Sequence, residues 1–298
     1  MNITKEQHAK EFNIKEIKKR SMFGEVVSRL VINKGAMLGL IILLIITTMC
    51  LLAPVIAPYD YDAQDISKKF IEPNSEHIMG TDNLGRDIYS RLLYGGRISL
   101  QVGFIATGIS AFFGIMLGAV SGYYGGKIDN FIMRILDIFM AIPNLLLAIA
   151  ISAVIGAGIT SAMIAVGVSA IPAFARMVRG PILAVKGQEF IEAAKSIDAS
   201  DIRIIFRHLL PNVLSPIIVQ ITLRVATSII DAASLSFLGL GVQPPYPEWG
   251  AMLSSSRVYI VDRPYMVTYP GLAIALVVIS LNLFGDGLRD ALDPRLKD

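Results

Sequence analysis

The sequence predicts an all-α polytopic membrane protein with six transmembrane helices, and three observations support this fold class. Of its 298 residues, 54% are hydrophobic and 17% are charged, whereas ordinary soluble domains carry about 25% charged residues. Six apolar stretches approach or exceed the roughly 20 residues that a spanning helix needs. The Lys and Arg residues also concentrate on one side of the bilayer in a six-span arrangement. Together these features argue against a soluble enzyme.

The six predicted spans cover about residues 36–56, 98–121, 131–154, 159–177, 213–238 and 267–285. The first follows a polar, lysine-rich leader that is too long for a cleaved signal peptide, so we expect an uncleaved signal anchor. Pro143 is expected to kink the third span. A short turn at Gly156 and Gly158 makes the third and fourth spans a hairpin, and six crossings place both termini on one side.

The distribution of positive charge predicts which side that is. Nineteen Lys and Arg residues lie on the side of the termini and seven on the other, which predicts cytoplasmic termini. The chain then divides into a cytoplasmic leader (1–34), a first transmembrane helix (35–56), an extracytoplasmic loop (57–97), a five-helix core (98–285) and a cytoplasmic tail (286–298).

The cytoplasmic segment 186–212 predicts two helices too short to span a bilayer. Their apolar positions recur at helical spacing on either side of a break at Asp198–Ala199, with Ser200 as N-cap and Pro211 as stop. These positions are Phe190, Ala193, Ala194 and Ile197, then Ile202, Ile205, Phe206 and Leu209. Spacing alone leaves two interpretations open, namely helices lying on lipid headgroups or helices docked in a protein groove.

This segment resembles the EAA loop of the membrane subunits of ABC importers. The matching positions are Glu192, Ala193, Ala194, Ala199, Ser200, Leu210 and Pro211, while Asp198 replaces the family's usual glycine. An aspartate tolerates the left-handed backbone that such a turn needs. The resemblance implies that these eight residues couple the chain to a cytoplasmic ATPase subunit by inserting into a cleft on it.

Three further stretches resemble the C-type permeases of dipeptide and oligopeptide importers. They are 77–100, where Ile78 replaces the family's proline, 235–250 and 285–295. We expect an amphipathic elbow helix from Ile88 at the outer interface, an end to the fifth span at Gly239 and Gly241, and Trp249 as an interfacial anchor. The resemblance implies a type I (MetI-like) ABC importer permease core with an extra N-terminal helix. The implied partners are a second homologous permease, two ABC ATPase subunits and an extracytoplasmic substrate-binding protein.

The fifth span carries a polar stripe that is a candidate translocation pathway. Its members recur every three or four residues and are Gln220, Arg224, Thr227, Ser228, Asp231 and Ser234. Charges at the bilayer centre cost roughly 2.5–3.5 kcal/mol on insertion scales, so Arg224 and Asp231 should avoid lipid. One interpretation is that they line a path for a zwitterionic solute. The other is that they pair with each other as buried structural groups, with Thr227, Ser228 or water bridging them. Related permeases often carry glutamate at Ala232.

Catalytic and nucleotide-binding motifs are missing from the sequence. The segment GYYGGKI at 122–128 lacks the spacing and the final Ser or Thr of a phosphate loop. ATP and Mg²⁺ are therefore expected on partner ATPase subunits, with no cofactor or metal in this chain. Three dispersed histidines and a net charge of +3 indicate neither a metal site nor a nucleic-acid partner. The resulting hypothesis is a non-catalytic peptide-importer permease in the bacterial plasma membrane, surrounded by membrane lipid. Transport of nickel chelates or glutathione, or an ion-coupled secondary transporter, are the alternatives.

Overall fold

The computed structural model describes residues 22–293, and its regular secondary structure there is helical. Within that range the β-type pairing is an isolated bridge between Thr81 and Asp87. Most of the predicted leader (1–21) and the end of the predicted tail (294–298) lie outside the described residues.

The helices follow the chain from one end to the other. They are α1 Met22–Ile32, α2 Lys34–Leu51, α3 Ala53–Ile56, α4 Ile88–Tyr124, α5 Gly126–Met140, α6 Asn144–Ile155, α7 Ile159–Ser169, α8 Ile171–Lys186, α9 Glu189–Ser196, α10 Asp201–Arg203, α11 Leu210–Asn212, α12 Leu214–Phe237, α13 Trp249–Ser256 and α14 Tyr265–Leu292. A π-helical stretch, Ile204–Leu209, joins α10 to α11.

Five helical stretches are long and apolar enough to cross a bilayer, and a sixth crossing depends on a bent pair. The five are α2, α4, α7 continued by α8, α12 and α14, and the bent pair is α5 with α6. The third predicted span is bent, and its two halves meet at 85°. The break falls just before α6, where Pro143 provides no backbone N–H and its ring disfavours a continuous helix, as predicted.

The second span begins ten residues earlier than predicted, as one 37-residue helix from Ile88. The helix start predicted at Ile88 is confirmed, but this stretch is continuous with the second span and is not a separate helix. Asp87 caps the first turn by accepting a hydrogen bond from the Ser90 amide at 2.7 Å. The next turns are buried by protein: a Cβ on Gly96 would lie 2.2 Å from Cys50 Sγ and 2.6 Å from Trp249 Cζ2. At about 55 Å the helix exceeds the roughly 30 Å hydrocarbon layer.

Trp249 is a core residue, so its expected role as an interfacial anchor is wrong. The side chain is 1% exposed, and its indole Nε1 donates to the Leu92 carbonyl at 2.9 Å. The approach is close because Gly95 and Gly96 of α4 present no side chains. The end of the fifth span agrees with the prediction, since α12 stops at Phe237 and Gly239 has φ +82°.

Buried polar groups hold the loop between α3 and α4 and the neighbouring helix ends together. Asp82 accepts from Arg86 Nε at 2.7 Å, and His77 Nδ1 lies 2.9 Å from Asp87 Oδ1. Glu248 caps α13 by accepting from the Ala251 amide at 2.8 Å and also accepts from Ser99 Oγ at 3.0 Å. Burial raises the pKa of Glu248. These contacts make the loop an elbow that orients α4.

Small residues bring the spans close together, as their spacing on the second span predicted. A Cβ on Gly114, Gly118 or Gly122 of α4 would lie within 2.7 Å of α8 atoms. Opposite, Gly287 of α14 packs on Ala36 of α2. A cleft of about 410 Å³ joins Met177 of α8, the start of α12 and the end of α14. The start of α2 and the end of α14 thus lie at the same end of the molecule as the start of α12, which directly follows the 186–212 segment. Helix α14 runs to Leu292, beyond the expected start of the tail at 286.

Candidate functional site

The segment 186–212, called the coupling segment from here on, folds as two short helical arms joined by a tight turn. Helix α9 ends at Ser196, and Asp198 takes a left-handed backbone with φ +57°. The Ala199 amide then donates to the Ala194 carbonyl at 3.1 Å and closes the turn. The aspartate thus adopts the left-handed backbone that was expected at this turn. Ser200 occupies the N-cap position without a side-chain capping bond.

The second arm differs from the prediction at its end. Pro211 was expected to stop the helix, but the helical turns continue to Asn212. Because a proline nitrogen has no hydrogen to donate, the arm widens into a π-helix before it, and the Leu210 amide bonds to the Ile205 carbonyl. The break that separates the coupling segment from α12 is at Val213.

One face of the coupling segment is part of the protein core. It packs against Phe174, Val178 and Ile182 of α8 and Tyr123 of α4, and its buried members are Ile191, Ala194, Ile204, Ile205 and Leu209. Of the eight apolar positions that recur at helical spacing in the two arms, Ala194, Ile205 and Leu209 are buried within this chain, and the other five are exposed. The positions are therefore divided between a face that packs on the core and a face that the chain leaves uncovered.

The opposite face presents an exposed apolar surface, which we define by Phe190, Ile197, Ile202 and Phe206. Their exposed fractions are 38%, 80%, 72% and 52%. Glu192 and Ala193 are exposed beside them. Within the described chain, Glu192 forms no side-chain hydrogen bond or ion pair with which to satisfy its carboxylate. Four large apolar groups around a solvated carboxylate favour contact with another protein.

Polar contacts fix the coupling segment to the end of α4. Asp201 accepts hydrogen bonds from the Tyr123 hydroxyl at 2.5 Å and the Tyr124 hydroxyl at 3.0 Å. These two bonds, Tyr123 first, lower the pKa of Asp201. Lys195 lies 5.7 Å from the centre of the Tyr123 ring, within cation–π range. A force on either arm therefore reaches α4 and α8 directly.

The same end of the molecule contains a partly buried ion pair. Arg179 of α8 binds Asp129 of α5 through Nε at 2.6 Å and Nη2 at 2.5 Å. The Ser121 hydroxyl of α4 also donates to this carboxylate. A bidentate pair of this kind is geometrically specific. It joins the first half of the bent pair to the two helices on which the coupling segment rests.

The polar stripe of α12 lies on a side of the helix that the chain leaves uncovered. Thr227 is exposed on it, and Gln220, Arg224, Asp231 and Ser234 are half-buried. Thr227 and Ser234 donate to their own helix backbone, at 3.0 Å and 2.8 Å, and Gln220 lines the 410 Å³ cleft. The stripe from Gln220 to Ser234 runs along about 21 Å of helix.

Ser228 does not belong to that open side. It is 0% exposed and accepts a hydrogen bond from Thr107 of α4 at 3.1 Å. Its hydroxyl therefore links α12 to α4 in the core of the chain. The predicted pathway set thus separates into five residues on the open side and one structural residue.

Arg224 and Asp231 contact each other directly, without the bridging group that the sequence had suggested. Arg224 Nη2 lies 3.0 Å from Asp231 Oδ2, because the long guanidinium arm spans the two turns between them. The same carboxylate oxygen accepts a second bond, from Asn144 Nδ2 at 2.9 Å. Asn144 is the first residue of α6, directly after the bend. The stripe is thereby tied to the broken helix.

Comparison with known proteins identifies the family. Residues 114–298 match the family described as "Binding-protein-dependent transport system inner membrane component". Residues 21–73 match the "N-terminal TM domain of oligopeptide transport permease C". The chain belongs to this permease family. It is a multi-pass membrane permease, and the expected type of fold and the resemblance of its motifs are both confirmed.

Relatives of this permease carry names from two transport systems. The "Dipeptide transport system permease protein DppC" of Alkalihalophilus pseudofirmus is 48% identical over 93% of this chain and 91% of its own length. The "Glutathione transport system permease protein GsiD" of Escherichia coli O6:K15:H31 is 49% identical over 88% of this chain and 87% of its own. A solved inward-facing MetNI methionine ABC transporter chain superposes with a TM-score of 0.57 at 22% identity. That match covers 68% of this permease and 96% of that chain, and it supports the fold.

The sequence did not single out several residues that the structure of the permease makes prominent. Tyr123 and Tyr124 anchor the coupling segment, and Asn144 completes the contact with Asp231. The role of the tyrosine pair could have been suspected from the sequence, because two adjacent phenols end a long apolar helix. The sequence points less clearly to Asn144, a lone amide directly after the proline that kinks the third span. No group of three or more His, Cys, Asp or Glu in residues 22–293 is arranged to hold a metal.

Proposed function

We propose that this permease is one of two homologous membrane subunits of an ATP-driven importer for dipeptides and oligopeptides. The names of the relatives support a peptide-like cargo, since dipeptides and glutathione are both small peptides with at least one carboxylate and one ammonium group. The open polar stripe of α12, with one cation and one anion, suits a solute of that kind. Glutathione is the second candidate cargo, because the relatives in that system are equally similar.

The exposed apolar surface of the coupling segment carries the proposed contact with an ATPase subunit. The segment has two apolar faces, of which one packs on α4 and α8 and the other, with Glu192 and Ala193, needs a partner. A lipid surface would suit the apolar groups but leaves Glu192 beside the anionic headgroups of a bacterial membrane. A protein cleft suits both. We therefore assign the role of ATPase coupling to the eight residues of the EAA resemblance.

The proposed mechanism follows from how that segment is held. ATP and Mg²⁺ would bind to the two ATPase subunits, which supply the energy of the cycle. Closure of those subunits would displace the arms of the coupling segment. The buried contacts at Ile191, Ile204 and Leu209 and the bonds to Asp201 would pass this displacement to α4 and α8. The spans would then alternate access to the stripe between the two sides of the membrane.

Orientation and partners complete the proposal. The coupling segment leads into the start of α12, at the end of the molecule where α2 begins and α14 ends, so an ATPase partner inside the cell implies cytoplasmic termini. The charge bias of nineteen to seven agrees with that orientation. A substrate-binding protein would deliver cargo at the opposite end, from outside the plasma membrane. The family match removes the ion-coupled secondary transporter that the sequence alone had left open.

The test is purification of the complex from native membranes in mild detergent, followed by mass spectrometry. Recovery of a second permease and of P-loop ATPases is expected. Glu192→Lys should release the ATPases and abolish uptake while the chain still inserts. Asp290→Lys is the matched control, because it makes the same charge change at an exposed site on α14 outside the coupling segment. Full ATPase retention by Glu192→Lys would contradict the docking role, and uptake without ATP by the isolated chain would contradict the importer.

A further inference from the structure

A charge cluster of Arg224, Asp231 and Asn144 lies where α12 meets the bend between α5 and α6. We propose that this cluster is a charge-exchange gate for zwitterionic solutes, an inference that rests on the proposed function. In the closed state the Arg224–Asp231 pair neutralises itself. During passage the solute carboxylate takes the place of Asp231 on Arg224, and the solute ammonium takes the place of Arg224 on Asp231. No covalent bond changes, and no protein charge is left unpaired.

The position of the cluster is the first argument for the gate. Arg224 and Asp231 are about 10 Å apart along the axis of α12, and their side chains are 15% and 20% exposed. They lie on the open side of the helix, where Thr227 between them is exposed. A charged pair facing hydrocarbon is costly. That side therefore adjoins a polar passage or a partner subunit.

The second argument is that the hydrogen-bonding capacity of the cluster is unfilled. Arg224 Nε is buried and has no hydrogen-bond partner within residues 22–293, although a guanidinium has five N–H groups to donate. The donors from Arg224 and Asn144 both converge on Asp231 Oδ2. A purely structural buried pair would be expected to satisfy such groups. A solute carboxylate would offer Arg224 the acceptor that the chain does not.

The third argument is the link from the pair to a mechanical break in the fold. Asn144 begins α6 directly after the 85° bend, so its bond to Asp231 fixes the second half of the bent pair to α12. The first half is held to α8 by Asp129 and Arg179. A solute ammonium that draws the Asp231 carboxylate away from α6 would break the bond from Asn144 and so release the second half of the bent pair. Occupancy of the stripe thereby reaches the helices that carry the coupling segment.

The exchange also accounts for selectivity by charge balance. A zwitterion supplies a new partner to Arg224 and to Asp231 at the same time. The one ion pair within the protein is thereby replaced by two ion pairs between protein and solute. A solute with one charge leaves either Arg224 or Asp231 unpaired in a poorly solvated site, which is unfavourable. A solute with no charge leaves the pair closed. We therefore expect the gate to favour peptides with both termini free.

The first experiment uses the complete importer in proteoliposomes and measures ATP-dependent uptake of dialanine. The exchange variant R224D/D231R keeps an ion pair on α12 but reverses its polarity along the path. We expect it to assemble with its partner subunits and to lose about tenfold or more of its uptake. Thr222→Val is the control, because Thr222 bonds only to its own helix backbone, at Ile218. Wild-type uptake by the exchange variant would show a structural pair and overturn the gate.

The second experiment remains decisive even if the exchange variant fails to assemble. The native cysteine, Cys50, is replaced by alanine, and Thr227→Cys is labelled with a thiol reagent in the complete importer. Dialanine should slow the labelling severalfold, whereas its N-acetylated, C-amidated analogue should not. Equal protection by both, or by neither, would overturn the gate. If the unmutated importer shows no ATP-dependent uptake of dialanine, the proposed function fails. The labelling assay can then be repeated with glutathione in place of dialanine, which tests the gate separately.

Discussion

Two isoleucines of the coupling segment, two residues apart, test whether its two faces have different roles. Ile202 is 72% exposed, and Ile204 is 1% exposed in the cluster with Phe174 and Leu209. We compare Ile202→Ala with Ile204→Ala. The chemical change is identical in both variants, so any difference between them arises from the surroundings of the side chain.

The expected magnitudes follow from the carbon atoms removed. Replacing isoleucine with alanine deletes three carbons, worth about 2 kcal/mol when they are shielded from water. At Ile204 the cavity adds to this loss, so we expect the chain to lose about 2–5 kcal/mol of stability. At Ile202 the isolated chain should lose less than about 0.5 kcal/mol. If an ATPase subunit covers Ile202, its dissociation constant should rise about thirtyfold.

Two measurements separate these outcomes. Thermal unfolding of each purified variant in detergent reports its stability, and titration with the purified ATPase subunit reports its affinity. Ile204→Ala should lower the unfolding temperature, whereas Ile202→Ala should weaken ATPase binding and leave that temperature unchanged. The reasoning is refuted if Ile202→Ala binds the ATPase as tightly as the wild type, or if it destabilises the chain as much as Ile204→Ala does.

Two further predictions concern the end of the molecule at which α4 begins. Gly96→Ala should destabilise the permease by about 1–3 kcal/mol, because its Cβ would overlap Cys50 and Trp249; thermal unfolding checks this, and an unchanged unfolding temperature would contradict the packing described. Burial raises the pKa of Glu248 above its ordinary value of 4.5, so the folded state binds the proton more tightly than the unfolded state does. The stability that the protonated Glu248 contributes should be fully present at pH values below 4.5 and be lost as the pH rises through the raised pKa. Glu248→Gln should flatten this pH dependence, and an identical slope in both proteins would contradict it.

The spans were predictable because the bilayer acts on each segment separately. A stretch such as 213–238 must be apolar over about 20 residues wherever it lies in the fold, and α12 matches it to within one residue at each end. The bend at Pro143 was also predictable from the missing amide hydrogen of that residue. Its angle was not, because Asn144 is held by Asp231, which is 87 residues away.

The coupling segment shows where local pattern is insufficient. Both arms are apolar on more than one side, so the exposed set Phe190, Ala193 and Ile197 is spaced as regularly as the buried pair Ile191 and Ala194. Which set is buried depends on the surface that α4 and α8 present. Trp249 is a similar case, since only the two glycines on α4 made room for it in the core.

By itself, the sequence determined the membrane class, the number and order of the apolar stretches, the presence of a short two-helix segment and the family. All of these depend on composition, on spacing along one helix or on motifs in order. The tertiary structure decided which face of the coupling segment is exposed, that Ser228 leaves the polar stripe, and that Arg224 and Asp231 meet directly with Asn144. Those outcomes depend on how polar groups distant in sequence find partners once water is excluded. Within the chain, a buried donor or acceptor can pair only with a group that the fold brings beside it, and no local pattern specifies that neighbour.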